Sequence, residues 1–319
     1  MEHYQTKSDM DIKNETLRRM LAGPFGWNVK KQNLLESNDV TEGETQTDGR
    51  ALTVVDKELS ERAAQRLVAS EVNKQKNMED VIQRADEILQ KEPNIEVTSE
   101  ESDQGWVEDC LDGAGKAYDD ELKDYWAKLL AGEIRNPGKY SKRITNFMKT
   151  ISQKDAERIK KICPYVMYDM RGDAVILRYD GEKISYEDIS FLAELRLLDS
   201  SSFVVKQYKF SNGKGQVFLY KRNLGYLLKI ERGEYALPIY AVTQLGKEVL
   251  SIVDDAEADI DYLKDFSMSI TKGKSDLVAN CGYFITIDDG ALLLKDGLKF
   301  EIPKQETKEA EINNDLENK

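Results

Sequence analysis

The chain has 319 residues, 46 Lys+Arg against 59 Asp+Glu and a formal net charge of −13, with 33 % of its residues charged and 40 % hydrophobic. No window holds the roughly 18 consecutive apolar residues of a membrane span and no apolar leader opens the chain, so a cytoplasmic protein of two or three domains is expected. A single histidine, His3, and three widely separated cysteines, Cys110, Cys163 and Cys281, exclude a disulfide framework, a Cys-x-x-Cys metal pair, histidine-ligated zinc and Ser-His-Asp hydrolysis.

The first predicted element is a short helix over 16–22, with Leu17, Met20 and Leu21 on one face and Gly23-Pro24 as its stop. Phe25 and Trp27 follow, and docking on a core is the simplest use of them. Residues 36–50 offer only Val40 for burial and read as a linker, so 1–55 is expected to be a partly disordered segment. From Asp56 to Glu92 there is neither Gly nor Pro, and strong helix formers dominate. Leu59, Ala63 and Leu67, then Met78, Val81, Ile82, Ala85, Ile88 and Leu89, keep a helical period. The polar run Asn73–Asn77 leaves two readings: one long helix with a solvated stretch, or two helices with a break there.

A short helix follows, capped by Ser102 or Asp103, with Trp106, Val107, Cys110 and Leu111 on one stripe. The strongest pattern is Asp119–Arg135: Leu122, Trp126, Leu129 and Leu130 face a core, and acids occupy the first turn. Asn136-Pro137-Gly138-Lys139 is a turn, Ser141 caps a helix carrying Ile144, Phe147 and Met148, and Ser152 caps another carrying Ala156, Ile159 and Ile162. Short links make antiparallel neighbours, so 56–163 is predicted to be a helical bundle with a long helix.

After Pro164 the pattern turns to strands: Val166–Tyr168, Ala174–Tyr179, Phe203–Phe210, Gln216–Arg222, Tyr226–Glu231 and Leu237–Val242. The third and fourth are expected to form a hairpin around Ser211–Gly215, and Pro238 suggests an edge position for the last. Helices are predicted over Ser185–Leu198 and, capped by Thr243, over Gln244–Val253. This order suggests a winged-helix-like α+β unit over 164–253. A helix at 257–272 and a hairpin at 281–300 make a C-terminal unit, 254–303, and 304–319 reads as a disordered tail. The expected fold class is α+β.

No Gly-rich phosphate loop and no Gly-x-Ser-x-Gly elbow occurs, so no cofactor and no catalytic residue is assigned. Glu108, Asp109, Asp112 and Asp119–Glu121 lack the order of a calcium loop and read as solvated helix faces, so no metal is assigned. Asp173, Asp180, Glu182 and Lys183 have the acid-acid-lysine composition of some metal nucleases; that is the enzymatic alternative, although the turn 180–183 is also a natural helix connector. Residues 203–232 carry Lys206, Lys209, Lys214, Lys221, Arg222, Lys229 and Arg232 against Glu231, interleaved with Tyr208, Phe210, Phe218, Tyr220 and Tyr226. The first six cations are the candidate nucleic-acid contacts. The competing reading is a lysine-guarded strand edge, and the acidic remainder of the chain disfavours long-range steering of a nucleic acid.

The stretch Glu121–Arg143, ELKDYWAKLLAGEIRNPGKYSKR, resembles the bacterial domain of unknown function 2806, through Glu121, Leu122, Trp126–Ile134, Pro137, Gly138, Tyr140 and Ser141. Asn73–Ile82, Asp103–Trp106, Ile151–Ala156 and Thr243–Glu248 resemble further family stretches, so the likeness spans roughly 60–253. It implies a bacterial, cytoplasmic protein and no nameable activity, with a link to mobile elements or phage defence by association only. Within the run, Trp126, Leu129 and Leu130 fill a core, Gly132 permits close approach, and Pro137, Gly138 and Ser141 set a turn and cap; Lys128 and Glu133 have no evident structural task. The functional expectation is a non-enzymatic interaction or regulatory protein that binds a protein partner, with the long helix as a candidate homo-oligomer contact and the basic strands as a weak nucleic-acid contact.

Overall fold

The computed structural model describes residues 12–14, 16–18, 20–21, 54–91, 102–179, 181, 183–199, 205–286 and 292–301. Phe25, Trp27, the linker at 36–50 and the tail at 304–319 lie outside the described residues. Mixed helix and strand fall into two compact units, Met1–Gln153 and Lys154–Lys319.

The first unit is helical. Helix α1 (Val54–Lys91) runs unbroken through Asn73–Asn77, about 57 Å at 1.5 Å per residue. The polar run does not interrupt it because one member is an internal tie: Asn77 is 8 % exposed, and its Nδ2 donates to the Gly115 carbonyl at 3.0 Å. The second half of α1 packs on α2 (Gln104–Gly115) and α3 (Asp120–Arg135), and α2 also packs on α4 (Lys142–Thr150). Asp103 caps α2 through the Trp106 N–H and Asp119 caps α3 through those of Glu121 and Leu122. Ser141 stands at the N-cap position of α4 but makes no side-chain cap bond there. Most of the predicted core is buried, with Val81, Ile82, Ala85, Trp106, Cys110, Leu111, Trp126, Leu129, Leu130 and Ile144 inside, whereas Met78, Ile88 and Leu122 are only half-buried and Leu59, Ala63 and Leu67 are exposed. Leu17 and Leu21 are buried with them, and Asp86 holds that segment by accepting the backbone N–H groups of Lys13 and Asn14.

The second unit opens with α5 (Gln153–Ile162) and a 3₁₀ turn at Cys163–Tyr165, then builds one antiparallel sheet. Its strands are β1 (Val166–Asp169), β2 (Ala174–Leu177), β3 (Val205–Lys209), β4 (Gly215–Lys221), β5 (Leu224–Ile230), β6 (Glu234–Ala241), β7 (Leu277–Thr286) and β8 (Leu292–Glu301). The order is β3-β6-β2-β1-β4-β5-β7-β8. Helices α6 (Tyr186–Glu194), α7 (Gln244–Val253) and α8 (Ile260–Thr271) complete it. Helix α6 stops four residues short of the predicted Leu198, where Arg196 adopts φ 59° and turns the chain.

Three expectations about the strands change. No hairpin joins 203–210 to 216–222: β3 pairs with β6, whereas β4 pairs with β1 and β5. Pro238 is not on an edge strand, since β6 lies between β3 and β2; it sits where β6 passes from pairing with β3 to pairing with β2, so its missing N–H costs little. And β7 pairs along the length of β5, so the strands beyond residue 254 continue the same sheet, which has eight strands where a wing was expected.

The sheet is curled. In a flat sheet three spacings of about 4.8 Å put β3 about 14 Å from β1, farther than a lysine reaches. Yet Lys206 Nζ on β3 stands 2.5 Å from Asp169 Oδ2 at the end of β1. One sheet face carries the buried Leu219, Tyr226 and Leu228, and on it Tyr226 meets Phe266 of α8 edge-on and shares a 2.9 Å hydrogen bond with Ser267. Val166 and Ile176, on the other face, share an apolar patch with Ile159 and Ile162 of α5, Leu192 of α6 and Leu250 of α7.

Candidate functional site

The first half of α1 is the most unusual surface of the first unit. Residues 57–69 are all exposed, and Leu59, Leu67, Val68 and Val72 are 56, 62, 64 and 49 % exposed. At 100° per residue Leu59, Ala63 and Leu67 fall on the angular sector that Asn77, Val81, Ile82 and Ala85 occupy lower down, so the core-facing stripe continues for several turns with nothing packed on it among the described residues. A helix stretch of this length is marginal in water unless a partner packs on it.

In the family-like run the structure supplies the missing task of Glu133. Its side chain is 1 % exposed, and it accepts the backbone N–H of Gly138 at 2.6 Å and of Tyr140 at 3.1 Å. It thereby closes the Asn136–Tyr140 turn from inside, while burial pushes its carboxyl above the ordinary range despite those two donors. Gly132 admits the Tyr140 side chain, whose hydroxyl a Cβ would meet at 2.7 Å and whose ring at 2.8 Å. Lys128 is exposed and stands over the Tyr125 ring at 5.7 Å. The only hint of the Glu133 role in the sequence is its place five residues before a glycine turn. Asn77 and Asp86, the two buried polar ties of α1, carry no signal at all.

The six candidate nucleic-acid contacts are dispersed. Lys206 is held by Asp169 and, at 3.0 Å, by Asp173; Lys214 faces Glu231 at 3.8 Å and Arg222 faces Glu257 at 3.6 Å. Lys221 is buried in an ion pair with Asp254, both under a tenth exposed, and is a structural group. Lys209 and Lys229 are exposed. Of the acid-acid-lysine set, Asp173 pairs with Lys206 and lies 3.7 Å from Lys247, whereas Lys183 pairs with Asp259 at 3.4 Å. Asp180 and Glu182 lie outside the described residues. Among the described residues no group of three His, Cys, Asp or Glu side chains could hold a metal ion.

Around Asp169 the curl of the sheet makes a cleft of about 200 Å³ between β3 and β4, floored by the end of β1. Burial raises the Asp169 carboxyl, but hydrogen bonds from Lys206 and from the Asp173 and Arg171 N–H groups outweigh it and hold it below the ordinary range. Burial likewise lowers Lys206, and its two carboxylates more than reverse that. The three thiols are buried, and burial pushes Cys163 up to about 12 and Cys281 up to about 11, so neither is a thiolate nucleophile.

A helical unit with an exposed apolar helix stretch, joined in sequence to a curled antiparallel sheet with helices, defines an α+β protein. The chain belongs to the family described as a protein of unknown function (DUF2806), whose profile matches residues 61–267. No curated protein matches the chain, and no solved structure does. Among the described residues no helix is long and apolar enough to cross a membrane.

Proposed function

We propose that this is a non-enzymatic interaction protein that docks another protein along the first half of α1. One observation carries the reading: the core-facing stripe of α1 runs on past the bundle as Leu59, Ala63 and Leu67, all exposed, with the exposed Val68 and Val72 widening it on one side. An amphipathic helix laid against an apolar partner surface is a recurrent recognition mode, read from anchors three and four residues apart. The separation of Asp173 from Lys183 favours this reading over a metal-dependent nuclease, since their ion pairs point to different neighbours.

The test is site-specific photocrosslinking in the cells that make the protein. A photoreactive residue at Val68 should give one discrete adduct. The same residue at Tyr186, which is 84 % exposed but on no such stripe, should give none. The mass of the adduct distinguishes a second copy from another protein. Absence of any adduct from position 68, or equal adducts from both positions, would overturn the reading.

A further inference from the structure

On the sheet face away from Tyr226, four aromatic rings form a strip that the core does not consume. Phe218 and Tyr220 alternate along β4 with the buried Val217 and Leu219, so their rings share one face. Phe218 stacks on Tyr220 with centroids 6.3 Å apart and planes 18° apart, and Phe284 of β7 meets both edge-on at 5.8 and 6.3 Å. Tyr168 of β1 adjoins Tyr220 at 6.2 Å. Gly225, opposite Tyr220, leaves the room these rings occupy: a Cβ there would lie 2.8 Å from Phe218. All four rings stay partly exposed.

The strip meets the cleft beside Asp169 at the open seam between β3 and β4, where Phe218 lines the cleft while Asp169, Lys206 and Tyr208 lie on the Tyr226 side of the sheet. The cleft carries two further marks of a binding site. The Tyr208 hydroxyl beside it is buried with no hydrogen-bond partner among the described residues. Its rim is apolar and cationic: Met170 is 61 % exposed, and Arg171 is exposed beside it. Two cations flank the site. Lys229 lies on the ring face, opposite Gln216 and two residues from Leu227, which opposes Phe218; Lys209 follows Tyr208 on β3. Both are exposed, and neither has an ion-pair partner among the described residues.

We propose that the ring strip and the adjoining cleft bind single-stranded nucleic acid, bases stacked on Phe218 and Tyr220 and phosphates met by Arg171, Lys209 and Lys229. Rings in a row with cations on both sides match what a single strand presents, since every base has a stackable face and every nucleotide one negative charge. A duplex hides its bases, so the strip selects against it. The net charge of −13 makes approach from a distance unfavourable, so binding is short-ranged and sensitive to salt. The proposal is independent of the α1 docking surface.

The experiment is fluorescence anisotropy of the full chain with labelled single strands of about 12 nucleotides, oligo-dT and oligo-U, and a duplex of equal length. It is run at about 50 and 200 mM salt. The expected result is binding of the single strands, at least about fivefold weaker in Tyr220→Leu, and weaker binding of the duplex. Lys209→Glu and Lys229→Glu, both surface changes that leave the core intact, should weaken binding and lower the salt slope by about 0.7 each. Because the ring variant could lose stability, its unfolding midpoint is measured alongside, and the two charge variants decide alone if it fails to fold. No binding by the wild type at low salt, equal binding of duplex and single strand, or affinity untouched by both charge variants would overturn the proposal.

Discussion

Gly113 and Trp126 supply a test of the first unit in which one substitution should change sign with its background. A Cβ built on Gly113 lies 2.3 Å from Cη2 and 2.4 Å from Cζ2 of Trp126, contacts that real Cβ atoms do not make, so Gly113→Ala forces the indole or the α2–α3 spacing to move. Overpacking of this kind costs about 1–3 kcal/mol, while alanine in place of a helical glycine returns up to about 1 kcal/mol. The net effect in the wild type is a loss of about 1–2 kcal/mol. Trp126→Ala alone, removing a side chain that is 2 % exposed, should cost about 3–5 kcal/mol. In that background the clash is gone, and Gly113→Ala should stabilise by about 0.5–1 kcal/mol. Urea unfolding followed by tryptophan fluorescence reads the right unit, because Trp27, Trp106 and Trp126 all precede residue 154. Equal destabilisation by Gly113→Ala in both backgrounds would refute the packing argument.

Glu133→Gln can accept only one of the Gly138 and Tyr140 N–H groups and turns an amide NH₂ toward the other, so it should cost about 1–3 kcal/mol in the same unfolding assay. Lys221→Met leaves Asp254 buried without its partner and should cost about 3–5 kcal/mol by calorimetry, whereas Lys221→Met with Asp254→Leu should recover most of the loss. The Asp169–Lys206 pair should show two pH limits. The Asp169 carboxyl is depressed, so its contribution is present above its unfolded value of 3.8 and is lost as pH falls through the lower folded value. The Lys206 ammonium is raised, so its contribution is complete below 10.5 and is lost as pH rises through the higher folded value. The stability gap between wild type and Lys206→Met should therefore be flat between those limits and shrink beyond each; a gap that varied across neutral pH would contradict the assignment.

The helices were legible because their signals are local. Trp126, Leu129 and Leu130 at helical spacing, Asp103 at a cap, and Thr243 before α7 each act within one turn of chain. The sheet was legible as strands but not as an order. Pairing β3 with β6 and closing β5 on β7 are choices between distant segments, and alternation along a strand says which face is buried without naming the neighbour. The acidic partners within the basic cluster at 203–232 were hidden for the same reason: charge counted along the chain took no account of Asp169, Asp173 and Asp254, which the fold brings to Lys206 and Lys221. The ring strip was half visible, as aromatic residues alternating in β4, but Phe284 and Tyr168 join it only through strand order. The exposed half of α1 carries the same periodicity as the buried half, so the sequence could not tell which half packs within the chain.

That last distinction is the centre of the functional account, and hydrogen exchange of the α1 backbone measures it directly. In the dilute, purified protein the amides of 57–72 should exchange by local opening, orders of magnitude faster than those of 77–90, which share the buried core with α2 and α3. Adding the partner captured at position 68, or raising the protein concentration if that partner is a second copy, should slow 57–72 toward the rate of 77–90. Equal protection of both halves in the dilute protein, unchanged by concentration or partner, would show that the stripe is already satisfied and would contradict its role as a docking surface.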